Sequence, residues 1–122
     1  MAAEKEKMAA HFPSINFFGA NGRITSVQGF LRTNYGNSYY VRIEIPEYYP
    51  FVMPKISLPY YNIEPDCPHK FVNNDICVMR SEQWSQALSL AFIVAKTAIW
   101  LNKYDTWVRN GKARWPGKGQ TH

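Results

Sequence analysis

Cys77 lies eight positions after His69 and seven before Trp84, inside the run PHKFVNNDICVMRSEQWSQALS. A thiol in such a setting can be a nucleophile, because even an unperturbed cysteine is a few per cent thiolate near neutral pH. His69 is the candidate base beside it, and Asp66 or Asp75 could orient the imidazole. Two readings of Cys77 stand. As a nucleophile it needs a polar, accessible setting, which Asn73, Asn74 and Asp75 before it and Arg80 after it supply. As a small hydrophobe it would alternate with Met79 on the inner face of a short strand. Cys67, in a Pro/Asp-rich loop, reads as scaffold. Cys67, His69 and Cys77 lack a CxxC pair and a matching second half, so no metal is expected. Neither a phosphate-binding glycine loop nor a serine nucleophile elbow occurs, and no cofactor is expected.

The elements that must position these residues change period along the chain. Residues 1–11 favour a short helix or a frayed start. Phe12 to Phe18, with Pro13, reads as an irregular lead-in, and Gly19 to Gly22 as a turn. A strand is expected over Arg23 to Leu31, weakened by Gly29. The run Thr33 to Ser38 has the Asn and Gly content of a hairpin turn. Tyr39 to Ile45 alternates with period two and is the clearest strand. Four prolines then punctuate the stretch to Asp66, leaving room for one short strand at Lys55 to Leu58. From Trp84 to Leu101 the period becomes helical, with Leu88, Phe92, Ala95 and Ile99 as the expected stripe and Leu90, Val94 and Leu101 on its flank. Lys103 to Val108 continues the helix or starts another turn, Gly111 breaks it, and Trp115-Pro116-Gly117 ends ordered structure, leaving 116–122 as a tail. Strands first and helix last predict an α+β domain built on an antiparallel meander.

The 122 residues allow one domain over 1–122. The net charge of +5 is uneven: residues 1–102 hold nine Lys/Arg against eight Asp/Glu, whereas 103–122 hold five against Asp105 alone. That surplus, carried by Lys103, Arg109, Lys112, Arg114 and Lys118, is either a solvated end or a docking patch for an acidic partner. Nucleic acid is not the expected partner, because no binding-module signature accompanies the patch. The start, MAAEKEKMAAH, is too charged for a signal peptide. No apolar run approaches the roughly 20 residues of a membrane span. A cytoplasmic protein with reduced thiols is expected.

Three segments carry a resemblance. YPFVMPKISLP, PHKFVNNDICVM and RSEQWSQALSLAFIVAKTAIWL are similar to the core of the E2 ubiquitin-conjugating enzymes, in the same order over residues 39–101 and more loosely from residue 12. That family runs strand, YP segment, His-Pro-Asn motif, active-site cysteine, WSPAL segment and crossing helix. The resemblance implies a UBC-like fold, an antiparallel β-meander packed on a central crossing helix. It also puts Cys77 on the thioester-forming position and has His69 shape the active-site loop, with Trp84 buttressing the loop over the groove. Lys70 and Phe71 stand where the family has Pro and Asn. Asn73 or Asn74 is therefore expected to supply the amide that steadies an oxyanion, and Lys70 to lower the Cys77 pKa. The shortened C-terminal part, with HKF and WPG, resembles the compact bacterial E2-like proteins of CBASS anti-phage operons. For those, the resemblance implies that the cysteine takes the C-terminal glycine of a CD-NTase partner, or of a ubiquitin-like protein, and so regulates or primes it. An E1-like enzyme is then a further partner. The alternative is a catalytically inactive E2-variant module that docks a partner's tail.

Overall fold

Apolar and polar residues alternate through Tyr39–Ile45, and the structure turns that alternation into a strand with two unlike faces. The computed structural model describes residues 1–117; Lys118 of the basic run and the end of the expected tail lie outside them. The elements are α1 (Ala2–His11), β1 (Ile15–Ala20), β2 (Arg23–Arg32), β3 (Ser38–Glu44), β4 (Lys55–Ser57) and α2 (Leu90–Arg109), with a 3-10 turn at Ser81–Gln83. The strands form an antiparallel meander in the order β1-β2-β3-β4. Tyr39, Val41 and Ile43 of β3 are buried while Arg42 and Glu44 face solvent. The inner face of the sheet and the buried face of α2 share one hydrophobic cluster. Among the described residues no helix is long and apolar enough to cross a membrane.

Phe12–Phe18 departs from expectation, since from Ile15 the chain is an edge strand paired with β2. Its pattern hid it: only Ile15 is buried, so no period-two alternation marks it. Gly29 makes the pairing possible, because a Cβ there would lie 2.2 Å from the Ser14 carbonyl oxygen. The β1–β2 turn narrows to Asn21-Gly22, with φ of 54° and 75°. Two left-handed residues make the primed turn that matches strand twist.

The long helix is corrected in both phase and start. It begins at Leu90 rather than Trp84, because the Ser89 hydroxyl accepts the Phe92 amide at 3.1 Å and caps it. Its buried face carries Leu90, Ile93, Val94, Thr97, Trp100, Leu101 and Tyr104, whereas Ile99 of the expected stripe is 51% exposed. A helix apolar on most of its girth does not declare its phase; its polar ties do. At the N-terminus, Glu4 Oε1 accepts the Leu90 amide at 2.9 Å, and Oε2 accepts the Tyr49 hydroxyl. A carboxylate there also complements the helix dipole.

The second tie is near the other end. Asp105 is only 3% exposed and accepts from Thr33 Oγ1 at 2.5 Å, Asn37 Nδ2 at 3.0 Å and Tyr39 OH at 2.6 Å. Burial, then the bond to Asp105, push the Tyr39 hydroxyl far above its ordinary range, so it stays protonated as a donor. Asp105→Ala would leave three donors without their acceptor. The expected loss is about 3 kcal/mol, a fall in melting temperature of roughly 10 °C or more by circular dichroism. A melt within about 2 °C of wild type would show that the β2–β3 turn holds α2 by apolar packing alone.

Candidate active site

The residues around Cys77 fold into a small hairpin that extends the sheet past β4. Phe71 N donates to Asp75 O at 2.7 Å, Cys77 N to His69 O at 2.8 Å, and Ile76 N to Ile56 O at 2.9 Å. Bridges pair Lys70 with Ile76 and Ser57 with Asp75. The hairpin thus covers the edge that β4 would otherwise expose. Its register sets the backbone of Cys77 opposite that of His69, which is the physical content of their eight-residue spacing.

Asn73 and Asn74 form the hairpin turn. Asn74 is left-handed, with φ of 72°, a conformation that asparagine tolerates better than most residues. The Asn73 side chain bonds both the amide and the carboxylate of Asp75, at 3.2 and 3.1 Å. Asn74 Nδ2 reaches the Tyr61 carbonyl at 3.4 Å. Asp66 is likewise engaged, by Lys112 at 3.1 Å. The two carboxylates considered as imidazole orienters therefore each have a partner of their own.

His69 is also left-handed, with φ of 59°. Its carbonyl accepts the Trp100 indole N–H at 3.0 Å in addition to the Cys77 amide, and its ring packs on Trp115 with centroids 5.3 Å apart. The packing roles of Trp100 and Trp115 escaped the sequence reading. A buried tryptophan usually finds an acceptor for its N–H, and that tendency was the available signal for Trp100.

Cys77 is half-buried, while Ile76, Val78 and Met79 around it belong to the core. The structure thus leaves Cys77 out of the core that the small-hydrophobe reading required. Burial pushes its thiol above the ordinary range, and a backbone contact at Met79 opposes the shift; Sγ lies 3.7 Å from Met79 O. Lys70 does not lower it as expected. Its ammonium bonds Phe71 O at 3.2 Å, and its charge acts instead on Cys67. Cys67 is buried, which pushes its thiol up to about 12. Among the described residues no three His, Cys, Asp or Glu side chains gather as metal ligands would.

One side of the hairpin borders an apolar groove of about 580 Å³ between Val52, Met53 and Ile56 and the residues Phe71, Val72 and Ile76. Val72 is fully exposed and Phe71 is 49% exposed. Trp84 fastens the loop that leads into this wall: its N–H donates to Pro50 O at 2.8 Å and its ring lies against Tyr49. The basic C-terminal run is partly used up internally. Lys112 pairs with Glu64 and Asp66, and Arg109 lies 4.5 Å over the Tyr35 ring.

A half-buried thiol at the base of such a hairpin, followed by a capped crossing helix, can be compared with known proteins. The model of the E2-CBASS family, described as type II CBASS E2 protein, matches residues 4–122. The chain belongs to this family. Among solved structures, "A complex of the Vps23 UEV with ubiquitin" aligns with a TM-score of 0.56 at 21% identity, over 79% of this chain and 76% of that one. At that identity the likeness shows the UBC-like fold of this E2-like CBASS protein and nothing finer. No curated protein sequence matches it.

The raised thiol has a direct consequence for reactivity. A pKa above the ordinary range means less thiolate at every pH below it. Iodoacetamide should therefore modify Cys77 of the folded protein more slowly at pH 7.5 than an unstructured peptide thiol, with the midpoint of the rate profile at higher pH. Cys67 should stay unmodified until the protein unfolds. Site-resolved mass spectrometry reads both, and a Cys77 midpoint at or below the peptide's would show that burial does not govern this thiol.

Proposed function

We propose that this E2-like CBASS protein is an acyl carrier whose Cys77 forms a thioester with the C-terminal glycine of a protein partner. The favoured partner is a CD-NTase, with a ubiquitin-like protein as the other candidate. The observation that carries the reading is a half-buried, non-core cysteine in a hairpin whose Phe71, Val72 and Ile76 wall an apolar groove, in a chain that matches an E2 family from residue 4 onward. A glycine-ended tail suits such a thiol: with no Cβ on its last residue, its carbonyl carbon can approach a recessed sulfur closely.

The step is thiol exchange with an activated donor, namely the partner's C-terminus held as a thioester on an E1-type enzyme. The Cys77 sulfur attacks the carbonyl carbon, a new S–C bond forms, and the donor S–C bond breaks. The released thiolate takes up the proton that Cys77 gave up. His69 sets the loop geometry for this step through its backbone carbonyl. With the donor enzyme, ATP and a glycine-ended CD-NTase, wild type should gain the partner's mass in an adduct cleaved by thiol reductant. Cys77→Ser should give a reductant-resistant ester, and Cys77→Ala none. A reducible adduct that persists in Cys77→Ala would overturn the assignment.

Delivery to an amine is a separate matter, because Phe71 offers no donor where the family has an amide. Asn73 and Asn74 are the amides that could turn toward a developing oxyanion, Asn74 more readily because its present bond is long. Such a donor contributes on the order of 3 kcal/mol. Asn73→Ala/Asn74→Ala should therefore slow discharge to free lysine about 100-fold while leaving loading of Cys77 unchanged. Equal discharge rates would take both residues out of the chemistry.

A second reading is favoured by the elevated thiol and by the fold likeness to a UEV domain. Here the chain docks a partner's tail without a covalent step. It predicts stable association with the partner and no mass gain on Cys77 under the same conditions.

A further inference from the structure

The tail after α2 returns to the candidate site along a built path. Gly111 and Lys112 are both left-handed, with φ of 70° and 63°, and reverse the chain at the helix end. Lys112 then pairs with Glu64 at 2.5 Å and Asp66 at 3.1 Å, fastening the reversed segment to the loop that precedes His69. Three residues later Trp115 enters a cluster with Trp100 and Trp107, at centroid distances of 5.5 and 6.1 Å, and meets the His69 ring. Its indole N–H is buried with no acceptor among the described residues. A tryptophan on a tail could satisfy that donor in water. The ring itself is partly buried against the hydrophobic core.

We propose that Trp115 is a positioning residue for Cys77, acting through His69. The chain of contact is continuous. The Trp115 ring holds the His69 side chain, Trp100 holds the His69 carbonyl, and that same carbonyl holds the Cys77 amide. His69 is in a backbone region that a histidine leaves readily once its surroundings release it. Removing the ring takes away the packing on the His69 side chain, and the amide of Cys77 loses an oriented acceptor. The effect on loading rests on the thioester reading above; the effect on the thiol itself does not.

Three measurements on the full chain test this. Trp115→Ala should slow thioester loading on the order of 10- to 100-fold through kcat, with affinity for the partner unchanged. It should also move the iodoacetamide profile of Cys77 to lower pH, as the thiol gains solvent, while Cys67 stays protected. Trp115→Phe keeps a ring and removes the unsatisfied donor, so both properties should return to wild-type values. Unchanged loading, an unchanged Cys77 profile, or exposure of Cys67 along with Cys77 would each overturn the proposal; the last would mean general loosening. Should wild type form no thioester at all, the carrier reading fails, and the Cys77 profile alone decides whether Trp115 positions the thiol.

Discussion

The His69 carbonyl oxygen receives the Cys77 amide at 2.8 Å and the Trp100 indole at 3.0 Å, and those two bonds join the hairpin, the thiol and the crossing helix. A carbonyl can point that way only because His69 is left-handed. In an L-residue this conformation costs about 1–2 kcal/mol, which two hydrogen bonds and an aromatic contact can offset. The strain is therefore local and held by tertiary contacts. Any change that moves Trp100 relative to His69 is felt at the sulfur.

Trp100 is in turn placed by the ends of its helix. One residue of rotation turns an α-helix by about 100°, enough to carry the indole away from the loop. Apolar packing alone would resist this weakly, because α2 is apolar on most of its girth. The two carboxylates resist it strongly. Glu4 ties the Leu90 amide to α1 and to Tyr49, and Asp105 takes three donors from the β2–β3 hairpin. Asp105 is buried, and a buried carboxylate that loses its donors is far more costly than a misplaced methyl group, so one rotational setting is strongly favoured. The helix phase is a polar decision made inside an apolar core.

That explains which parts of the molecule are legible in the sequence. The strand at Tyr39–Ile45 reads directly because one face is core and the other is solvent. The meander, the terminal helix and the place of Cys77 before a crossing helix are also legible, since they depend on order and punctuation. β1 is not: it is an edge strand with one buried residue, admitted by the missing Cβ of Gly29, which pairs with Ile15 from the next strand. The stripe Leu88-Phe92-Ala95-Ile99 has sound spacing yet lies at the margin of the buried face, with Leu88 and Phe92 partly buried and Ile99 exposed, because pattern counts apolar residues and cannot see Asp105 finding Tyr39. The Lys70 charge is expected at Cys77 from its place in the motif that precedes the cysteine. In a hairpin, adjacent residues point to opposite sides, and its effect falls on Cys67 instead. Trp115 belongs to the site only through a chain reversal and two ion pairs, neither of which leaves a local signature.

If Cys77 is an acyl carrier as proposed, the elevated thiol bears on what it does best. Raising a thiol pKa lowers its thiolate fraction, but the thiolate that forms is intrinsically more nucleophilic, so attack slows less than the fraction alone suggests. The same change makes the sulfur a poorer leaving group. A thioester on Cys77 is then slower to be expelled by water or by an amine, and Phe71 supplies no donor to steady the oxyanion that such an attack must create. Burial of the sulfur and loss of the motif amide act in the same direction. On the proposed reading, both bias Cys77 toward holding an acyl group in place rather than discharging it.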